Sequence, residues 1–187
     1  MPSSNPANRE HVDLESDDGT LPYPNVLSAL WTEHLHAPAD NAPTVASLFA
    51  GGGGSSLGYS AAGFHELAAL DFDETAVRTL SRNFPDVPVY RENVQELPPE
   101  DFAEEIGVEP GELDVLDGSP PCQGWSTSGG RDADDERNSL AFRFLQYIEH
   151  LEPRMFVVEN VTGMVQGAMR EKFESLVRAM RDVEPGY

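Results

Sequence analysis

The sequence predicts an α/β domain built on a parallel, doubly wound sheet. Three observations predict it. Short apolar runs alternate with segments of helical spacing from Thr44 onward, and a glycine run, Gly51-Gly52-Gly53-Gly54, directly follows the first apolar run. A later run, Met155-Phe156-Val157-Val158, is apolar on both faces, which describes a strand covered on two sides rather than one facing water. Ligands of such sheets bind at the carboxyl ends of the strands.

The elements follow in order. Residues 1–43 form an N-terminal arm, acidic and rich in Pro, Asn and Ser to about Pro22. Asn25 to His36 then carries Val26, Leu27, Leu30, Trp31 and Leu35 at helical spacing, which predicts a short amphipathic helix docked on the domain. The domain itself covers residues 44–187. Thr44 to Phe49 reads as the first strand, Ala50 to Gly54 as a loop free of bulky side chains, and Ser55 to Ala62 as a short helix with hydroxyls available as caps. His65 to Asp71 is the second strand, and Asp73 to Phe84 a helix capped by Asp73. Val87 to Tyr90 and Leu113 to Asp117 are the third and fourth strands. Arg137 to Leu151 is a long helix, Arg154 to Glu159 the fifth strand and Ala168 to Val183 a last helix.

Composition bounds the function. No run of about 18 apolar residues suggests a membrane span, and the polar, acidic N-terminus is unlike a signal segment. One cysteine in 187 residues excludes an internal disulfide framework, so the cytoplasm is the expected compartment. One cysteine and five scattered histidines offer no zinc spacing, and no metal is expected. The balance of 33 Asp+Glu against 12 Lys+Arg gives a formal net charge of −21, with Lys172 the single lysine. This resembles the proteins of salt-loving organisms. In about 1 M salt the Debye length is only ~3 Å, so an acidic protein can still meet a phosphate backbone through close contacts. Eight of the twelve basic residues lie in 116–187, either gathered for such contacts or solvating two helices.

The glycine loop fails two nucleotide fingerprints. Gly51 to Gly58 contains no register with glycines at i, i+2 and i+5, and no Gly-Lys-Ser/Thr follows it. It remains a loop that lets a bulky cofactor approach the backbone at a helix N-terminus. About 20 residues on, Asp71 can accept ribose hydroxyls and Phe72 can stack on a base; helix capping is the competing role for Asp71 and Asp73. In Gly118-Ser119-Pro120-Pro121-Cys122-Gln123-Gly124, two prolines stiffen the approach to Cys122, which suits a held nucleophile better than a buried structural thiol. Phe156-Val157-Val158-Glu159 ends an apolar strand on a carboxylate, whose pKa burial would raise, so that it can hand over a proton near neutrality.

These motifs, in this order, resemble those of the cytosine-5 DNA methyltransferases. The loop Ser47 to Gly58 is similar to the family's first motif, with Ser47 where Asp is usual; Pro120-Pro121-Cys122-Gln123 resembles its catalytic motif and Glu159-Asn160-Val161 its Glu-Asn-Val motif. Asp71 stands where Glu is usual, and Asn93 where an Asp accepts the adenine amino group. The resemblance implies a Rossmann-like methyltransferase fold and S-adenosylmethionine as cofactor, bound by Phe49, Ala50, Gly51, Gly53, Gly54, Ser56, Asp71, Phe72, Asn93, Pro120 and Leu140. It also implies Cys122, Glu159 and Asn160 as the catalytic group. Cys122 would add to C6 of a cytosine flipped out of duplex DNA, and Glu159 would protonate N3. C5 would then take the methyl group from the sulfonium, and loss of the C5 proton with expulsion of Cys122 would release 5-methylcytosine and S-adenosylhomocysteine. The family continues past the point matching Tyr187 into an Arg-rich motif, a DNA-recognition region and a last cofactor motif. The sheet is therefore expected to be incomplete on its C-terminal side, with a second chain as a partner beside DNA. A tRNA-methylating branch shares these motifs, and a non-catalytic remnant binding cofactor or a partner chain is the alternative from another class.

Overall fold

The computed structural model describes residues 39–121, 139–159, 165, 170–183 and 186–187. The predicted arm helix, Cys122 and Asn160 lie outside them. Five strands are described: β1 (Thr44–Leu48), β2 (His65–Asp71), β3 (Val89–Arg91), β4 (Val115–Gly118) and β5 (Met155–Val158). They form one all-parallel sheet in the order β3-β2-β1-β4-β5. The chain steps outward from β1 to β3, then returns to the other side of β1 for β4 and β5. That reversal opens a crevice at the carboxyl ends of β1 and β4.

Among the described residues five helices connect and cover the strands: α1 (Gly54–Ala61), α2 (Glu74–Asn83), α3 (Pro99–Ile106), α4 (Ser139–Leu151) and α5 (Arg170–Asp182). Alternating side chains of the sheet feed two cores. Ala46, Leu48, Ala68, Leu70 and Leu116 pack with Phe102 of α3, Phe144, Tyr147 and Ile148 of α4 and Leu176 of α5. Ala69 points the other way, to Leu80 and Phe84 at the end of α2, with Ala50, Leu57 of α1 and Val89 against them. Helices on both faces are what a doubly wound sheet requires. Among the described residues, no helix is long and apolar enough to cross a membrane.

Most elements lie within two residues of the sequence reading, and Asp73 caps α2 as expected, its carboxylate accepting the Ala76 N–H at 2.8 Å. The exception is α3, for which the sequence reading named no element between Tyr90 and Leu113. Pro99 occupies the first turn, where a missing N–H costs nothing, Glu100 and Asp101 favour the positive end of the helix dipole, and Gly107 ends it at φ 68°. Its buried Phe102 meets Tyr147 edge to face at 5.7 Å, and the Tyr147 hydroxyl donates to the Leu97 carbonyl at 2.7 Å.

Close packing fixes β4 against α4. A Cβ at Gly118, the last residue of β4, would lie 2.2 Å from the Phe144 ring, so only glycine lets the helix sit at this distance. On the far side β5 pairs with β4 alone among the described residues, and Met155 and Val157 are exposed.

Candidate active site

The loop after β1 is held from β2. Ala50 N–H donates to the Leu70 carbonyl at 3.0 Å, Gly51 N–H to the Asp71 carboxylate at 2.9 Å, and Gly53 N–H closes a turn on the Ala50 carbonyl. Phe49 adopts φ 57°, a conformation that costs a non-glycine residue of order 1–3 kcal/mol and is found where a site holds the backbone in place. Gly53 sits at φ 92° with the Phe84 ring 2.7 Å from where a Cβ would be. Only glycine meets both demands there. The first amides of α1, which begin at Gly54, are of the kind that helix geometry leaves without intrahelical acceptors.

Around this loop the strand ends enclose a cavity of about 300 Å³, lined by Phe49 after β1, Asp71 and Phe72 after β2, Glu92 to Gln95 after β3, Pro121 after β4 and Leu140 of α4. That volume is at the lower end of small-molecule sites. Of the residues expected to bind cofactor, Phe49, Asp71, Phe72, Asn93 and Leu140 are thus brought together. Ala50, Gly51, Gly53 and Gly54 form the adjoining loop and helix start. Among the described residues the cavity's charged groups, Asp71 and Glu92, are both acidic, and the Phe72 ring is 69% exposed. This suits a cationic ligand with a flat aromatic part, and it opposes a di- or triphosphate.

Several positions differ from the sequence reading. Ser56 turns inward, 1% exposed, and its hydroxyl donates to Glu66 at 3.0 Å, so at most its backbone faces a ligand. Pro121 lines the cavity in place of Pro120, which is buried one step earlier on the strand exit. Asn93 spends both side-chain groups on its own turn: its carbonyl accepts the Gln95 N–H at 3.1 Å and its amide donates to Glu96 at 3.0 Å. Glu159 follows β5 beside the β4 exit and is exposed, where the sequence reading expected a buried carboxylate. Glu92, Val94, Gln95 and Pro121 were missed, since their place in the cavity follows from strand order rather than from any local motif.

A second feature was also missed. Beneath the loop, Ser47, Glu66 and Asp117 are buried together on neighbouring strands, with Ser56 and Tyr59 of α1 over them. Glu66 accepts from Ser47 at 2.5 Å and Ser56 at 3.0 Å through one oxygen, and its other oxygen, Oε2, has no partner. Desolvation pushes its pKa up against the effect of the two hydroxyls, and Asp117 pushes it further. Burial likewise raises Asp117, which accepts the Tyr59 hydroxyl at 3.2 Å, and raises Tyr59 itself.

The fold and the cavity define a Rossmann-like α/β domain with a cofactor-sized site at the carboxyl ends of its strands. Residues 44–187 match the C-5 cytosine-specific DNA methylase family model, and the chain belongs to that family. It is 40% identical over 118 residues to the type II methyltransferase M.AgeI of Thalassovita gelatinovora, covering 63% of this chain and 28% of that protein. It is 36% identical over 132 residues to M.AquIA of Picosynechococcus sp., covering 70% of this chain and 53% of that protein. A solved structure assigned as a prophage-encoded DNA modification methyltransferase of E. coli aligns with a TM-score of 0.61 and 35% identity, over 75% of this chain and 39% of that one. The chain thus spans between about three tenths and about half of the length of these relatives.

Proposed function

We propose that residues 44–187 are the cofactor-binding and nucleophile-bearing part of an enzyme that methylates C5 of cytosine in DNA, and that residues 1–43 are an arm outside it. The observation that carries the reading is the acidic, aromatic cavity between Asp71, Phe72 and Leu140 in a chain of this family. S-adenosylmethionine bears a sulfonium and an ammonium group beside its adenine, and it supplies an electrophilic methyl group when bound. Asp71 would hold the ribose hydroxyls, Phe72 the adenine face, and the Gly51–Gly54 loop and first amides of α1 the carboxylate. The role of Asn93 is smaller than the family pattern implies, because its carbonyl already accepts one backbone N–H.

In this reading Cys122, the single cysteine, is the nucleophile that forms a bond to C6 of a flipped cytosine. Glu159 is the acid for N3, with Asn160 beside it. Exposure of Glu159 is compatible with this role if bound DNA supplies the desolvation. The reading also assigns DNA contacts to a further segment, in the same polypeptide or in a second chain, that pairs against the exposed edge of β5. Support comes from the length of the relatives and from apolar Met155 and Val157 on that edge.

The test is a duplex containing 5-fluorocytosine, given with cofactor and a segment completing the enzyme. A denaturation-resistant adduct should form, and Cys122→Ser should not form it. Normal methylation by Cys122→Ser would sink the assignment, and methylation of tRNA but not DNA would redirect it.

A further inference from the structure

We propose that Glu66 is a positioning residue for the loop Gly51–Gly54, clamping the end of β1 to the first turn of α1 beneath the loop while it carries a proton. The proposal rests on the reading of the cavity as a cofactor site and extends it to a group outside the cavity.

The geometry begins with register. Val45 pairs with Glu66, but Ala46 pairs with Ala68, so Leu67 is an extra residue in β2. Without that bulge Glu66 would share a face with Ala68 and Leu70, which belong to the large apolar core. With it, Glu66 turns to the opposite face, where Ser47 of β1 and Asp117 of β4 stand as direct strand partners. There one oxygen accepts from Ser47 and from Ser56, residues that flank the glycine loop on either side. The loop is thereby fixed at both ends from below, while the bond from Gly51 N–H to Asp71 holds its middle.

Charge decides the protonation state of the clamp. The groups facing Glu66 are Ser47 on β1, Ser56 and Tyr59 on α1 and Asp117 on β4; none of them is a cation, and Asp117 is a second buried acid. Glu66 is 4% exposed and Oε2 is without a partner, so a carboxylate would place an uncompensated charge beside Asp117 in the core. A neutral acid avoids this and can still bridge both serines. Since the folded state raises the Glu66 pKa, the stabilisation is fully present below the ordinary carboxylate range and is lost as pH rises through the folded value.

The experiment is S-adenosylhomocysteine binding by calorimetry in molar salt from pH 5 to 9, on the wild-type chain, Glu66→Gln and Glu66→Ala. Glutamine mimics the neutral acid. The wild type should lose affinity several-fold as pH rises, Glu66→Gln should keep the low-pH affinity across the range, and Glu66→Ala should bind weakly throughout. A flat wild-type profile, or Glu66→Gln as weak as Glu66→Ala at every pH, overturns the proposal. If the folded wild type binds no S-adenosylhomocysteine at all, the cofactor reading fails, and the clamp is then read by amide hydrogen exchange over Gly51–Leu57. Relative to Glu66→Gln, those wild-type amides should lose protection as pH rises; equal protection in both overturns the clamp as well.

Discussion

The Asp71 carboxylate, at the end of β2, accepts the backbone N–H of Gly51 at 2.9 Å through one oxygen and that of Asp73 at 2.9 Å through the other. One side chain therefore sets both the glycine loop and the entry to α2, while lining the cavity between them. A hydrogen bond to a charged group contributes about 1.5–3 kcal/mol, roughly tenfold or more in an equilibrium constant. Asp71→Ala is accordingly expected to weaken S-adenosylhomocysteine binding by about tenfold or more, and Asp71→Asn by less. Calorimetry on folded variants checks this; unchanged affinity in Asp71→Ala would remove Asp71 from the site.

Phe72 should separate binding from stability. Its ring is 69% exposed, so folding gains little from it. Phe72→Ala should leave the melting temperature nearly unchanged, within about 0.5 kcal/mol of stability. The loss should appear in affinity for adenosine-containing ligands, since stacking on an aromatic ring contributes about 1–3 kcal/mol per base. A fall in stability with no change in affinity would reverse this assignment.

Gly118→Ala tests the packing of α4 on β4. Glycine to alanine in a strand is ordinarily favourable, but here the new methyl would meet the Phe144 ring at 2.2 Å. Overpacking of this kind costs about 1–3 kcal/mol, or some 2–4 °C of melting temperature per kcal/mol in a protein of this size. Thermal melts should show a loss, and Phe144→Leu should recover part of it.

Asp114 ties the start of β1 to the sheet. The backbone N–H of Thr44 at 2.8 Å is the main reason its carboxyl lies below the usual range, with the Thr44 hydroxyl and Arg154 adding to it. A depressed folded pKa gives stability that is present above the unfolded value of about 3.9 and is lost as pH falls through the folded one. Asp114→Asn should melt below the wild type at pH 7, and the gap should close as pH drops below about 4. A gap independent of pH would mean that the charge is irrelevant.

Much of this architecture was legible because local chemistry and tertiary position agree. The glycine loop, the Asp73 cap and the apolar run of β1 are each written in a few adjacent residues, whereas Met155 and Val157, read as covered on both faces, are exposed on β5. Strand order is not, so Glu92 and Pro121, which reach the cavity only because β3 and β4 end beside it, could not be read from their neighbours. The Glu66 cluster was hidden for another reason: a single inserted residue in β2 decides which face Glu66 takes, and alternation alone would have placed it wrongly. Ser56 was read as a cofactor residue through the resemblance of the loop, which carries no information on side-chain direction; its hydroxyl is spent on that same glutamate.

The most direct test of the account is a paired titration of the wild-type chain with S-adenosylhomocysteine and with NAD in molar salt. The glycine loop lacks the spacing of the dinucleotide fingerprint, and the cavity beside it is small, so it should take the first in preference to the second. Saturable binding of S-adenosylhomocysteine, weakened by Asp71→Ala and Phe72→Ala, with weaker binding of NAD, is the predicted result. Tighter binding of NAD, or S-adenosylhomocysteine binding indifferent to both substitutions, would contradict it.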